Sequence, residues 1–399
     1  MRRNDLCLTS SSSELLAAPK PLPLEPQDLA QAQGLPSQFG LTFSGHAEPT
    51  QNSGSINDSD TKIITSRLFS EPNLGSLLRF GFDELEFYYP VIDRLNFYDR
   101  LALLFSEHLS HEDGVPQVQA QRKHAILIAL ACEMLSIATY LGAGANSYQR
   151  AQGDAYHIPE SLSWHSESRR LLNFYTWEES SDIDLLRIHV LEVIYMNMLQ
   201  RRAEASRALA LAVDFAFRVK LHDEDAWASF TLREHEYRRL LWWTLFLLDR
   251  QAAILLGRPY IIRDEDFVVH VFTEASRALY LTEDPPQSVP GQECLPWPLP
   301  STLNEDWFDH IQFCVRWSKI ATRVWDSCFA VRASKSLTGD DVELIDALLM
   351  KLERDMPSSL KWNLKNLPSA VNARNEDMPL RLQITIFEVS VFIRSKALW

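Results

Sequence analysis

The stretch from Arg233 to Leu256 constrains this chain more than any other, because Leu240 to Leu248 is apolar on every face except at Thr244. A helix carrying such a run has no side to show to water and must be surrounded by other elements. Trp242 and Trp243 sharpen the demand, since successive helical residues point about 100° apart and two adjacent indoles need cover on two sides. Gly257 can take the left-handed conformation that closes a helix, and Pro259 bars its resumption. Asp249, directly after the apolar run, would be costly to bury alone and is expected to pair with Arg250, Arg258 or backbone donors near the stop. Arg238 and Arg239 are expected to clamp carbonyls or carboxylates of an adjacent helix.

Helical periodicity extends over most of the remaining chain. It predicts a short element over Leu101–Leu109, a long apolar helix over Gln117–Leu141 ended by Gly142 and Gly144, and another over Trp164–Tyr175. Asp182–Gln200 follows a Ser180-Ser181 cap, and Arg202–Leu221 carries a stripe of Ala205, Ala208, Leu209, Ala212 and Ala216. The joint between those two is so short that they should lie antiparallel. Further helices are expected at Trp307–Val331, Asp340–Arg354 and Leu380–Trp399, while strands have little support beyond short runs near Ile261 and the C-terminus. The fold class this predicts is all-α, an irregular multi-helix bundle around a central hydrophobic helix with a disordered N-terminal tail.

Residues 1–76 are rich in Ser, Pro, Gln and Asp and are read as disordered, with the helical domain spanning 77–399. Six prolines from Pro285 to Pro300 mark a long loop over 281–306, and a chain ending on Leu398-Trp399 reads as truncated within an element. With 39 Lys+Arg against 53 Asp+Glu the net charge is -14, and no basic cluster gathers locally, which disfavours direct contact with phosphate backbones. Cys7, Cys132, Cys294, Cys314 and Cys328 are odd in number and show no C-x-x-C, as suits reduced thiols; Cys132, Cys314 and Cys328 sit in apolar helical contexts as small core residues. Ala125 to Ala145 is long enough to cross a membrane, but Glu133 near its centre argues for a buried helix instead.

Catalytic signatures are absent. There is no G-x-S-x-G, no phosphate loop, no G-x-G-x-x-G and no EF-hand loop, and His235-Glu236 fails as a zinc motif because Arg239 stands where the second histidine belongs. The pairs His157/His165 and His108/His111 could approach a metal only with help from Asp154 or Glu112, and surface or capping roles fit them better.

The ordered set Arg238-Arg239, Trp242-Trp243, Asp249-Arg250 and Gly257-Arg258-Pro259 closely resembles the middle homology region of fungal zinc-cluster, xylanolytic-activator-like transcription factors. Ala203 to His222 resembles the family's Ala-rich helix, and Phe87 to Phe97 its Phe-Pro opening. The likeness covers Leu77 to Val271 well and thins beyond, although Leu380 to Leu398 resembles a later family helix. Lys220 stands where the family places Gly before Leu221-His222, so a left-handed ending there costs about 1 kcal/mol. A binuclear zinc cluster needs six thiolates, and Cys7 is the single cysteine in the first 131 positions.

The resemblance implies a regulatory domain acting in RNA polymerase II transcription in the nucleus, not an enzyme, with the nine motif residues in structural roles. It implies zinc in the family's N-terminal module and no cofactor in this chain. The expected partners are other transcription regulators or a DNA-binding subunit, with a small effector as a further ligand, DNA reached only indirectly and no membrane. The alternatives are a small-molecule-binding helical protein or enzyme on the same scaffold, and a membrane-associated protein using Ala125–Ala145.

Overall fold

The computed structural model describes residues 58–86, 88–110, 118–145, 157–173, 182–274, 276–277, 305–331 and 338–356. Ten α-helices follow one another in this part of the chain. They are α1 (Asp58–Ser70), α2 (Leu74–Leu85), α3 (Arg94–Ser110), α4 (Val118–Ala145), α5 (His157–Asn173), α6 (Ile183–Met198), α7 (Arg202–Arg218), α8 (Leu232–Leu256), α9 (Glu305–Val324) and α10 (Gly339–Arg354). Among the described residues there is no strand, only an isolated parallel bridge between Asp223 and Val268. The all-α reading holds.

The domain begins earlier than Leu77. Asp58–Ser70 is helical, with Ile64 and Leu68 buried in the main core, and Arg67 ties it to α5 through Glu167 at 2.9 Å and Ser163 at 2.8 Å. Its two inward residues are diluted among Ser, Asp and Thr, so a compositional average hides the stripe. Residues 1–57 and the expected C-terminal helix at Leu380–Trp399 lie outside the described residues, as does 281–304 of the proline-rich stretch. Glu305 and Asp306, assigned to that loop, already belong to α9.

α4 runs through Gly142 and Gly144 rather than ending at them, because Gly142 sits against the Phe80 ring and the helix keeps its packing surface. Gly81 of α2 faces α4 so closely that a Cβ there would lie 3.0 Å from the Ala138 Cβ. Residues Gln121–Gly142 are long and apolar enough to cross a membrane by length and composition, yet they are largely buried against α2, α5 and α6. Glu133, 0% exposed at the helix centre, is met by His165 of α5, whose Nδ1 lies 3.0 Å from both carboxylate oxygens. That contact corrects the surface or capping reading of His165. Burial raises the Glu133 carboxyl against the pull of His165, and the carboxylate raises His165 against the histidine's own burial.

α6 is nearly all buried and starts at Asp182, not at the expected serines, which fall outside the described residues; the Asp182 carboxylate accepts from the Asp184 amide at 3.0 Å. Leu199 to Arg201 then turn the chain, with Gln200 at φ 60°, into α7. The two helices pack extensively, which so short a joint permits only antiparallel. α7 ends with Lys220 at φ 52° and the Leu221 amide donating to the Ala216 carbonyl at 2.9 Å, a left-handed close made by a residue with a Cβ. α8 begins on a capping box, the Thr231 hydroxyl accepting from the Glu234 amide while Glu234 accepts from the Thr231 amide at 2.8 Å. α9 continues into a single π turn, Trp325–Phe329, and packs with α10 in a second cluster of Leu247, Phe313, Trp317, Ile345 and Leu349. Cys132, Cys314 and Cys328 are buried in the helix packing, and burial pushes the Cys314 thiol up to about 12.

Lys220→Gly should stabilise the protein by about 0.5–1 kcal/mol, because relief of the left-handed strain exceeds the entropy glycine adds to the unfolded chain. Lys220 is exposed, so nothing else is lost. Urea unfolding reads the difference, and a destabilised variant would show that the turn is unstrained. His165→Leu should cost about 3–5 kcal/mol by leaving Glu133 buried without its partner, and Glu133→Leu with His165→Leu should recover most of it. In the single variant a raised Glu133 pKa keeps the folded state protonated where the unfolded state is ionised, so its stability should fall as pH climbs past the ordinary carboxylate range.

Candidate functional site

The residues singled out in the sequence all lie on or directly after α8, and most of them hold one object, the chain returning across that helix from Tyr260 to Phe272. Trp242 is 0% and Trp243 3% exposed. Their rings, with Phe246, meet Phe267 at centroid distances of 5.0, 5.8 and 5.5 Å. Trp242 also meets Phe217 edge-on from α7, while the Lys319 ammonium of α9 stands 5.2 Å over the Trp243 ring. The two indoles are thus covered from different sides, as their spacing requires. The Trp243 indole N–H donates to the His270 carbonyl at 3.0 Å.

Asp249 and Arg250 fix the start of the return. Asp249 accepts from the Ile261 amide at 2.9 Å on Oδ1 and from the Ile262 amide at 2.9 Å on Oδ2, and Arg250 reaches Oδ2 at 2.7 Å. The Arg250 guanidinium, buried at 1% exposure, also donates to the Thr322 hydroxyl of α9 at 2.7 Å, the Ile262 carbonyl at 2.8 Å and Asp264 at 3.0 Å. Phe246 and Tyr260 cover it at 3.9 Å each. Burial raises the Asp249 carboxyl against its donors and lowers Arg250 against its acids. Asp249 therefore has two of the expected partner types, Arg250 and backbone donors. Arg258 is not among them; this exposed residue bonds the Ser206 hydroxyl of α7.

Gly257 adopts φ 61° and its amide donates to the Ala253 carbonyl, closing α8; exposed Pro259 follows. Arg239 clamps Glu224, in the short helical turn Glu224–Trp227, and Glu236 of its own helix. Glu224 in turn accepts from the His270 amide at 2.8 Å, and its own amide donates to the Val268 carbonyl at 2.9 Å. Burial works against the charge on Glu224, but Arg239 and the His270 amide outweigh it and hold the carboxyl below its ordinary range.

Arg238 departs from the expectation. Rather than clamping a carboxylate or carbonyl, it stacks on Phe230 at 3.7 Å and lies 6.0 Å from the Trp227 ring. Glu224, Phe267 and Thr322 were not singled out in the sequence, and no local pattern marks them, since each acts on α8 from a distant position.

Chemically, the arrangement is a clamp. Its charged groups meet each other, backbone or aromatic rings; elsewhere in the bundle a small, mainly apolar recess is lined by Phe82, Leu85, Met134 and Leu191 with Glu86 at its edge. Burial lifts that Glu86 carboxyl to about 7 against the pull of Arg94.

The model of the fungal specific transcription factor domain matches residues 82–353, extending well past Val271. The chain is 27% identical over 172 residues to transcriptional activator protein acu-15 of Neurospora crassa, covering 43% of this chain and 17% of that protein. It is 24% identical over 214 residues to transcription factor asqA of Emericella nidulans, covering 54% and 36%. A shorter likeness, 31% over 91 residues, joins it to filamentous growth regulator 27 of Candida albicans, covering 22% and 12%. The chain thus spans about a third or less of these relatives' length. No solved structure matches.

Asp249→Ala should cost about 3–5 kcal/mol, because it takes from the buried guanidinium its closer carboxylate and leaves two amides without an acceptor. Denaturant unfolding measures it, and a loss below about 1 kcal/mol would mean that water replaces the carboxylate. With the family model spanning residues 82–353, most of its length, the chain belongs to the fungal specific transcription factor domain family.

Proposed function

We propose that this chain works in the nucleus as the signal-receiving part of a transcription regulator, passing a small-effector or partner-protein signal to a DNA-bound subunit and touching DNA only indirectly. The regulatory role comes with the family. The indirect route rests on one observation, the acidic balance of 39 Lys+Arg against 53 Asp+Glu with no local basic cluster. Such a surface repels a phosphate backbone.

A catalytic or carrier role on the same scaffold has less support. Glu133, Asp184, Glu192 and Asp249 are strongly influenced by their surroundings, but each is tied to a histidine or an arginine within the helix packing. Perturbed carboxylates held this way stabilise a fold rather than meet a substrate.

The full chain, fused to a heterologous DNA-binding module in fungal cells, should change reporter output several-fold in either direction relative to the module alone. Unchanged output would contradict the regulatory role of this chain. Tight, salt-sensitive and sequence-selective binding of the purified chain to DNA would contradict the indirect route.

A further inference from the structure

We propose that the outer edge of the returning chain, Phe267 to Val271, docks one extended strand of a partner protein, a strand β-branched at its middle and basic at its ends. Phe267 has φ -145° and ψ 152°, which is extended backbone. In an extended chain, alternate residues turn their N–H and C=O groups to opposite edges. Val268 and His270 use the inner edge. The Val268 amide donates to the His222 carbonyl at 2.8 Å, and the Val268 carbonyl accepts from the Glu224 amide at 2.9 Å. The His270 amide goes to the Glu224 carboxylate, and the His270 carbonyl accepts from the Trp243 indole. Phe267, Val269 and Val271 thus turn their backbone groups to the other edge, and among the described residues none of the three makes a backbone–backbone hydrogen bond. Val269 is packed into the main core and anchors the edge, whereas Val268 and Val271 are 55% and 44% exposed.

An unpaired edge carrying exposed valines is a template for another strand, and charge decides which one. No Lys, Arg, Asp or Glu stands between Phe267 and Phe272, but Asp264, Glu265 and Asp266 precede this run and Glu274 follows it, all of them exposed. Arg250 holds Asp264, and Arg277 lies 3.8 Å from Glu274, while Glu265 and Asp266 make no ion pair among the described residues. A second copy paired antiparallel about Val269 would set Asp264 against Glu274 twice over, in a chain whose net charge is already -14. A strand with lysine or arginine at its ends meets those acids instead, and β-branched residues between them pack on Val268 and Val271.

The biological sense of this edge rests on the reading of a partner-borne signal above, but the binding does not. A fluorescein-labelled, end-capped peptide, Lys-Thr-Val-Thr-Val-Thr-Lys, should bind the purified full chain saturably in an anisotropy titration. The same peptide methylated on its inner backbone nitrogens keeps its charge and side chains but loses its strand donors, and it should not bind. Glu265→Lys together with Asp266→Lys should weaken the parent peptide about fivefold or more and favour a peptide ending in glutamates, because two cross-strand charge pairs are reversed. Glu343→Lys, at an exposed acid of α10, should leave the affinity unchanged. Should the double variant fail to fold, Val271→Lys, which places a charge on the edge itself, should weaken the parent peptide in its place. No binding of the parent peptide, or equal binding of its methylated form, would overturn the strand site. Dimerisation of the chain alone, abolished by Val271→Lys, would give the edge to a second copy and overturn the assignment to a partner. Because no transcription enters these measurements, their failure leaves the reporter result standing, and the reverse holds.

Discussion

The pair Asp249 and Arg250, neighbours in sequence and both out of water, is the interaction on which the rest of the structure depends. Two buried charges stabilise a fold only if nearly every donor and acceptor they carry is met. Here the carboxylate oxygens take two consecutive amides, and the guanidinium reaches a carbonyl, a hydroxyl and a second carboxylate while aromatic rings cover it. The apolar run of α8 dictates that something must cover it, without saying what or where. The charged pair says where, because amides at Ile261 and Ile262 fit one register of the returning chain.

From that fixed start the remaining contacts form a sequence along the return. Phe267 drops between Trp242, Trp243 and Phe246, Val268 exchanges backbone bonds with His222 and Glu224, and His270 closes on Trp243 and Glu224. Arg239 holds the turn that carries Glu224, so the segment before α8 and the segment after it are joined through the helix between them. Thr322 extends the same network to α9, which links the second hydrophobic cluster to the first.

What could be read in the sequence was local. The all-round apolar run, the glycine stop and the need of Asp249 for a nearby donor all follow from residues within a few turns of one another. Lys220 was legible too, because a helix ending is a short-range event. Glu224 and Phe267 were not, since their value depends on the path of the chain between α7 and α9. The helix at Asp58–Ser70 was hidden by a composition typical of disorder, although Ile64, Leu68 and the Arg67 bonds to α5 dock it. The continuation of α4 past Gly142 was hidden for the opposite reason, as packing against Phe80 overrides a weak local signal.

Arg238 and Arg239 show how the same motif serves two ends. They stand side by side in sequence, but the helical turn aims them about 100° apart. Arg239 finds Glu224 and Glu236 and is spent inside the clamp. Arg238 is turned toward the Phe230 and Trp227 rings, with one donor buried and unmet. Arg187, Arg233, Arg239 and Arg250 each bond a carboxylate, whereas Arg238 is held by ring contacts. A donor buried without an acceptor is a standing cost to the folded state, and the stacking of Arg238 on Phe230 offsets part of it.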